Sequence, residues 1–292
     1  MEKMRIAYIL SAYKYPEQLV RLVKRLYSDR AEILVHVDKK TTREVYEQMV
    51  KGVQSLPNVY FLKRHRCDWG GFGHVQASLT GIHEIICRKI SYDYAFLLTG
   101  QDYPIKTEAQ IMDFLGKHQG KSFIDSFPLP SDNWEYGGRQ RIEHWHFRIL
   151  DRHIIIPNSD AHGIKRKFPK AFRPYGGSSY WCFSKACIEY IDQFVRKNPR
   201  FVRFFYFVDV PDEIFFQTIL LNSPHAWEIV NDDLRYIKWK DPNAGSPSIL
   251  RKCDLENMAS SPKLFARKFD MRIDAEVLDL IDQTMLMDGN QR

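Results

Sequence analysis

The sequence predicts an α/β fold, a mostly parallel central sheet flanked by helices, and three observations carry that expectation. Between Met4 and Leu98 short apolar runs alternate with stretches whose apolar residues recur at helical spacing. Polar or glycine residues stand where those runs stop, as at Asp38 and Gly100. The chain has 292 residues, 44% of them hydrophobic, and is long enough to bury a core around such a sheet.

In chain order, Met4–Leu10 predicts an opening buried strand. Pro16–Tyr27 follows as a helix, because Leu19, Val20, Leu22, Val23 and Leu26 fall at helical spacing and Pro16 suits a first turn. Ala31–Val37 predicts a second strand ending at Asp38. A helix is expected over Thr42–Val50, a strand over Val59–Leu62 and a long helix over Val75–Lys89. Tyr94–Leu98 predicts a further strand, closed by Thr99-Gly100-Gln101-Asp102. Parallel sheets bind ligands beyond the carboxyl ends of their strands, which is where Asp38 and the Gly100–Asp102 turn stand. The second half is less regular. Strands are expected over Ser122–Asp125, Ser178–Phe183 and Leu234–Trp239, and helices over Ser184–Val195, Leu255–Ala259 and Asp274–Leu286. Val210-Pro211-Asp212-Glu213 opens one more helix, expected to run through Leu221. No repeat, low-complexity tract or linker divides the chain, which predicts one domain over 1–292.

Forty-three Lys and Arg against 36 Asp and Glu give a net charge of +7. Such a surplus suits an anionic partner: nucleic acid, an acidic membrane face or a phosphorylated substrate. The cations are spread along the chain without any RNP, zinc-finger or basic-zipper pattern, which argues against nucleic acid. The five cysteines form no CxxC pair, and an odd number argues against both a zinc site and a disulfide framework. The histidines make no HExxH-like pair, and none is assigned a role. Ile6–Leu10 is too short for a signal peptide, and no stretch reaches the roughly 20 apolar residues of a membrane span. These features predict a cytoplasmic protein that can rest on the inner face of a membrane through basic side chains.

Several residues carry chemistry, each beside a plainer reading. Asp38 can accept from a base or a ribose hydroxyl at its strand end, or simply cap a turn before Lys39-Lys40. In Cys67-Asp68-Trp69-Gly70-Gly71-Phe72-Gly73 the glycines allow either close approach of a ligand or a tight loop; the spacing is not that of a dinucleotide motif. The turn holding Gln101 and Asp102 offers one carboxylate, whereas a divalent ion wants two or more, and no Asp-x-Asp occurs in the chain. Glu213 falls in a first helical turn, where the dipole favours an ionised carboxylate that can act as a base, or serves helix electrostatics alone. Arg267-Lys268 lies between Phe265 and Phe269, giving either positioned cations or a solvated face. Trp181 can stack on a sugar ring or pack in the core.

Together these segments resemble the core-2/I-branching β-1,6-N-acetylglucosaminyltransferase and peptide O-xylosyltransferase family, glycosyltransferase family 14. The resemblance rests on IAYILSAYKYPEQLVRLVKRLY, ILVHVDKK, CDWGGFGHVQASL, FLLTGQDYPIKT, GGSSYWCFS, VPDEIFFQTIL, LRYIKW and LFARKFD, in the family's order. It implies a GT-A-like fold, a UDP-sugar donor carrying GlcNAc or xylose, a glycan, lipid-linked or protein acceptor, inversion, and no metal or other cofactor. It further implies a nucleotide-binding half over 1–110, and over 111–292 an acceptor-side half with a C-terminal diphosphate-binding segment. By the family's motifs Glu213 is the general base, Lys268 contacts the diphosphate and Asp38 contacts uracil. Arg251 or Arg267 is the assisting arginine, and Trp69, Gln101 and Asp102 stand on the donor side. On the acceptor side the resemblance nominates Asp125, Glu135, Arg139 and Arg141, with Trp181. The animal members' membrane anchor, stem and disulfides have no counterpart in this sequence, which points to a bacterial-type member. The rival readings are a non-catalytic glycan- or nucleotide-binding protein on the same fold and a retaining transferase, which usually keeps an Asp-x-Asp metal site.

Overall fold

A computed structural model describes residues 4–149, 152–158, 166–241 and 246–287. The first half runs β1 (Ile6–Ala12), α1 (Pro16–Leu26), β2 (Ala31–Val37), α2 (Arg43–Val53), β3 (Val59–Phe61), α3 (Gly73–Cys87), β4 (Tyr94–Thr99), β5 (Asp102–Pro104) and α4 (Glu108–Lys117). The second half runs β6 (Ser122–Pro128), α5 (Arg139–Glu143), β7 (Trp145–Ile149), β8 (Arg152–Ile156), β9 (Tyr175–Ser184), α6 (Lys185–Lys197), α7 (Pro199–Phe205) and α8 (Phe215–Leu221). It closes with β10 (Ile229–Val230), β11 (Arg235–Ile237), α9 (Leu255–Ser260), β12 (Phe265–Arg267) and α10 (Glu276–Thr284).

Seven strands form the main sheet in the order β10-β6-β9-β4-β1-β2-β3. Its pairings are parallel except at β9, which runs antiparallel to both β4 and β6. The mostly parallel α/β architecture expected from the sequence is therefore present. Strand alternation divides the core between the two faces. Ile6, Tyr8 and Leu10 point with Ile33 and Val35 into one cluster, where Leu19, Leu22, Val23 and Leu26 of α1 cover them. Each of these four α1 side chains contributes about 1.5–3 kcal/mol on burial. Ala7, Ile9 and Leu34 face the other cluster, covered by α3, α6 and the wholly apolar face of α8.

Four helices differ from expectation, the short α5 and α7 being unforeseen as well as the two that follow. α4 was not anticipated, although Thr107 and Gln110 form a capping box that marks its start in the sequence. The helix expected over 210–221 is broken. Pro211–Glu213 is a 3-10 turn, Ile214 leaves helical geometry at φ −132°, and α8 begins only at Phe215. The strand expected over Leu234–Trp239 is reduced to β11, which joins β12 and β5 in a small separate sheet.

Candidate active site

Ser11 pairs with His36 and with Thr99, so β1, β2 and β4 end level at their carboxyl edge. The segments leaving that edge carry cations. A pocket of about 550 Å³ is lined there by Tyr13, Lys14, Tyr15, Lys40, Thr42 and Arg272, among others. The Lys14 ammonium lies 4.9 Å from the Tyr13 ring centre and 4.4 Å from that of Tyr15. Asp38, 6% exposed, closes this end: its Oδ1 accepts from the Lys40 N–H at 2.8 Å and the Cys67 N–H at 3.3 Å. These are the bonds of a turn residue, and they also tie the end of β2 to the glycine loop.

Lys268 joins this flank. Its carbonyl accepts from the Leu250 N–H at 2.9 Å, and its ammonium approaches Ser246 Oγ at 3.2 Å. Burial lowers its pKa from the ordinary lysine value, and repulsion from Arg267 and Lys14 lowers it further. A lysine half-removed from water among other cations has an electrostatic incentive to meet an anion. Arg251 is exposed and follows Leu250 directly, so its backbone, not its side chain, is what borders Lys268.

Gln101 and Asp102 prove to be internal braces. Gln101 Nε2 donates to the Phe269 carbonyl at 2.9 Å, and the Gln101 carbonyl accepts from the Phe269 N–H at 2.9 Å. Asp102, 1% exposed, accepts from the Thr99 N–H at 2.9 Å and the Thr99 hydroxyl at 3.0 Å. Arg267 lies 3.3 Å from its Oδ1 and Arg235 3.9 Å from its Oδ2. The donor-side role expected of both residues is thus corrected to positioning of Arg267 and Phe269, and Asp102 has no lone pair turned to solvent. Arg267 also stacks 4.2 Å over Tyr180, leaving Lys268 as the more available cation of the pair.

The opposite flank is acidic. Val210 takes a left-handed φ of 47°, costly for a β-branched residue, and is held there by its N–H on the Gly70 carbonyl at 3.0 Å. This turn presents Asp209, Asp212 and Glu213, each with its own partner. Arg148 pairs with Asp209, and Ser179 Oγ donates to Asp212 Oδ2 at 2.8 Å. Arg141 Nη1 donates to Glu213 Oε2 at 2.7 Å, with its guanidinium stacked 3.8 Å over Trp134. Asp212 Oδ1 is buried and has no partner.

Glu213 was expected to be held ionised by a helix dipole. The broken helix supplies none, and burial, followed by the neighbouring Asp212 charge, pushes its carboxyl up to about 7 in spite of Arg141. Its side chain remains 30% exposed, open to a ligand. A carboxyl near neutrality beside an unpartnered acceptor is suited to exchanging a proton with a bound hydroxyl.

The flanks meet along β9 and the glycine loop. Ser179 holds Asp212 while the next residue, Tyr180, underlies Arg267. The buried Cys67 thiol, pushed up to about 12 chiefly by burial, is raised further by Asp38 and also by Asp212. The loop's glycines resolve to the tight-loop reading. Gly70 needs its φ of +67°, and a Cβ on Gly73 would lie 2.0 Å from the Arg66 carbonyl oxygen. Trp69 is 71% exposed on this loop, and Arg148 lies 5.9 Å from its ring centre, so it stands nearer the acidic flank than the cations.

The acceptor-side nominations divide. Arg141 is in the site. Asp125, its carboxyl raised by burial and by Asp233, lies beyond a bulge where β6 meets β9. Glu135 and Arg139 are exposed, and neither side chain joins an ion pair among the described residues. Trp181 is 0% exposed and stacks on Phe183 at 4.3 Å with 2° between planes, so the sugar-stacking expectation is overturned in favour of core packing.

Two groups of metal-ligating type also form, which the sequence pattern did not anticipate: His146, His153 and Asp209, and Cys187, His225 and Glu228, each within 4.8 Å. Protein partners already engage them. His146 Nε2 lies 2.9 Å from the Gln140 carbonyl, Arg148 occupies Asp209, and His225 Nδ1 lies 3.0 Å from Glu228.

Lys14, Lys40, Arg272 and Asp212 were not singled out from sequence. The place of the two lysines just past β1 and β2 was the available signal. Among the described residues no helix is long and apolar enough to cross a membrane.

A family model described as Core-2/I-Branching enzyme matches residues 6–259. Xylosyltransferase 2 of Rattus norvegicus is 27% identical over 299 residues, covering 95% of this chain and 33% of its own. Xylosyltransferase 1 of Homo sapiens is 26% identical over 303 residues, covering 95% and 30%. The chain thus spans about a third of the length of these relatives. Among solved structures, S. aureus TarS 1-349 in complex with UDP aligns over 99% of this chain and 68% of its own, at 14% identity and a TM-score of 0.43.

Proposed function

The chain belongs to the Core-2/I-Branching enzyme family, and from that premise we propose that it is an inverting glycosyltransferase of GT-A-like fold. The donor is a UDP-sugar, GlcNAc or xylose leading, and the acceptor is a hydroxyl of a glycan or glycoconjugate. What supports this reading is a cationic pocket beyond β1 and β2 and a carboxyl raised to about 7 on the Pro211–Glu213 turn, linked through Ser179 and Tyr180 of β9.

The nucleotide occupies the pocket beyond β1 and β2, with the Tyr13 and Tyr15 rings beside it, and Asp38, two residues before Lys40, is its nearby carboxylate. Asp212, held by Ser179, supplies the neighbouring negative charge that helps keep the Glu213 carboxyl high. Glu213 removes the proton of the attacking hydroxyl, that oxygen bonds to the anomeric carbon, and the bond from that carbon to the diphosphate breaks. The electron pair leaves with UDP, whose growing charge Lys268 stabilises, assisted by Lys14. One such preorganised charge contributes about 3–4 kcal/mol to the transition state. No divalent ion is required in this scheme, and what supports that is the state of Asp102. Its carboxylate, at the position where an ion would be held, is already bonded to Thr99 and faces two arginines.

The test is a panel of UDP-GlcNAc, UDP-xylose, UDP-glucose and UDP-galactose, with UDP release followed in EDTA and in manganese. UDP release from one donor that EDTA leaves intact is the expected result. Release from none, or release that EDTA abolishes and manganese restores, overturns the scheme.

A further inference from the structure

The β7–β8 ribbon stands apart from the main sheet, and its outer strand is unusual. All five residues of β8 are exposed, so both of its faces meet solvent. Ile149, Ile154, Ile155 and Ile156 are 52%, 45%, 48% and 37% exposed. A cluster of β-branched apolar side chains on a two-stranded ribbon is costly in water, and such a ribbon needs a covering surface to be stable.

The inner strand is firmly seated. Trp145 and Phe147 each pack 5.2 Å from Phe207, and the His146 N–H donates to the Phe207 carbonyl at 3.1 Å. Arg166 ties the base of the ribbon down, donating to the carbonyls of His144 at 2.7 Å and Phe207 at 2.6 Å. Arg152 at the ribbon's turn end is exposed, as are Lys167, next to Arg166, and Arg203, next to Phe204, whose carbonyl Arg166 also engages; none of the three is in an ion pair among the described residues. Among the described acids, Asp209 is already matched by Arg148.

We propose that the β7–β8 ribbon is an interfacial anchor that inserts its isoleucines into an anionic lipid surface while the surrounding arginines and lysine contact the headgroups. Exposed apolar side chains ringed by unpaired cations match the two contributions that hold a peripheral protein on an acidic membrane. A second copy of the chain fits less well. A two-fold contact through the ribbon would bring Arg152, Lys167 and Arg203 of one copy toward those of the other. The position also has a use. Arg148 on the ribbon holds Asp209, four residues before Glu213, so a membrane on this side brings a lipid-borne acceptor to the acidic flank. That last step rests on the transferase reading; attachment itself does not.

The experiment is sedimentation of the full chain with vesicles of phosphatidylcholine alone or mixed with phosphatidylglycerol. Binding to the mixed vesicles alone is expected, weakening with salt. The pair Ile154→Ser and Ile156→Ser should weaken it about tenfold or more, and Arg152→Glu or Arg203→Glu about fivefold each. Retained UDP binding and circular dichroism show that the variants are folded. Wild-type protein left in the supernatant, or isoleucine variants that bind as well as wild type, overturns the proposal. So does a dimer in light scattering that the isoleucine substitutions dissolve. Because vesicle binding needs no sugar transfer, its failure is distinct from failure of the donor panel.

Discussion

On the cationic flank Lys14 and Lys40 stand just past β1 and β2, strands whose register is fixed over seven residue pairs. On the acidic flank Asp209, Asp212 and Glu213 sit on a turn that begins at a left-handed valine and ends where a helix fails to continue. The first flank shares one task among several cations around an open pocket. The second gives each acid its own main partner, Arg148, Ser179 or Arg141, with His153 also 3.9 Å from Asp209. Shared charge tolerates a loss, whereas a singly placed base does not. Substitutions should therefore cost more on the acidic side.

The widest gap is expected at Glu213→Gln, which should cost about 10²–10⁴ in transfer rate while leaving UDP affinity at its wild-type value by calorimetry. In the wild type kcat/KM should climb with pH and reach half its plateau near pH 7, where the carboxyl titrates. A plateau already complete at pH 5, or near-normal turnover by the variant, would remove Glu213 from the base role. Lys268→Ala comes next, at about 10²–10³ in rate, and unlike the first it should weaken UDP binding too. If it exceeded Glu213→Gln with UDP binding intact, the contrast between the flanks would be reversed.

The smallest effect concerns folding. The Glu213 carboxyl titrates above its ordinary 4.5 in the folded chain, so the protonated form is the one that folding favours. That advantage is full below pH 4.5 and is lost as pH rises through about 7. Glu213→Gln, neutral throughout, should raise Tm at pH 8 by about 2–4 °C, equivalent to ~1–2 kcal/mol, and leave it nearly unchanged at pH 5. A gain of equal size at both pH values would show that the carboxyl is not strained by burial.

The same contrast explains what could be read in advance. Through Thr99 strand and helix periods are set by local burial, and the expected β2 coincides with the observed Ala31–Val37. Glu213 was found by its motif, but its physical state was misjudged, because a continuous helix was assumed where Ile214 turns away. Trp181 and Asp102 were misplaced for another reason: sequence shows that a ring or a carboxylate is available, not which way the strand points it. Arg141 reaches Glu213 across 72 residues of chain, a pairing that no local pattern contains. The isoleucines of β8 drew no expectation, since whether such a run is buried depends on what lies opposite.

Ser179 and Tyr180 follow one another on β9, one reaching toward Asp212 and the other lying beneath Arg267. A single peptide unit thus links the acidic turn to the cationic segment, at a stretch of β9 where the register with β6 shifts and the pairing to β4 has not begun. A shift of β9 at this point would move both flanks together.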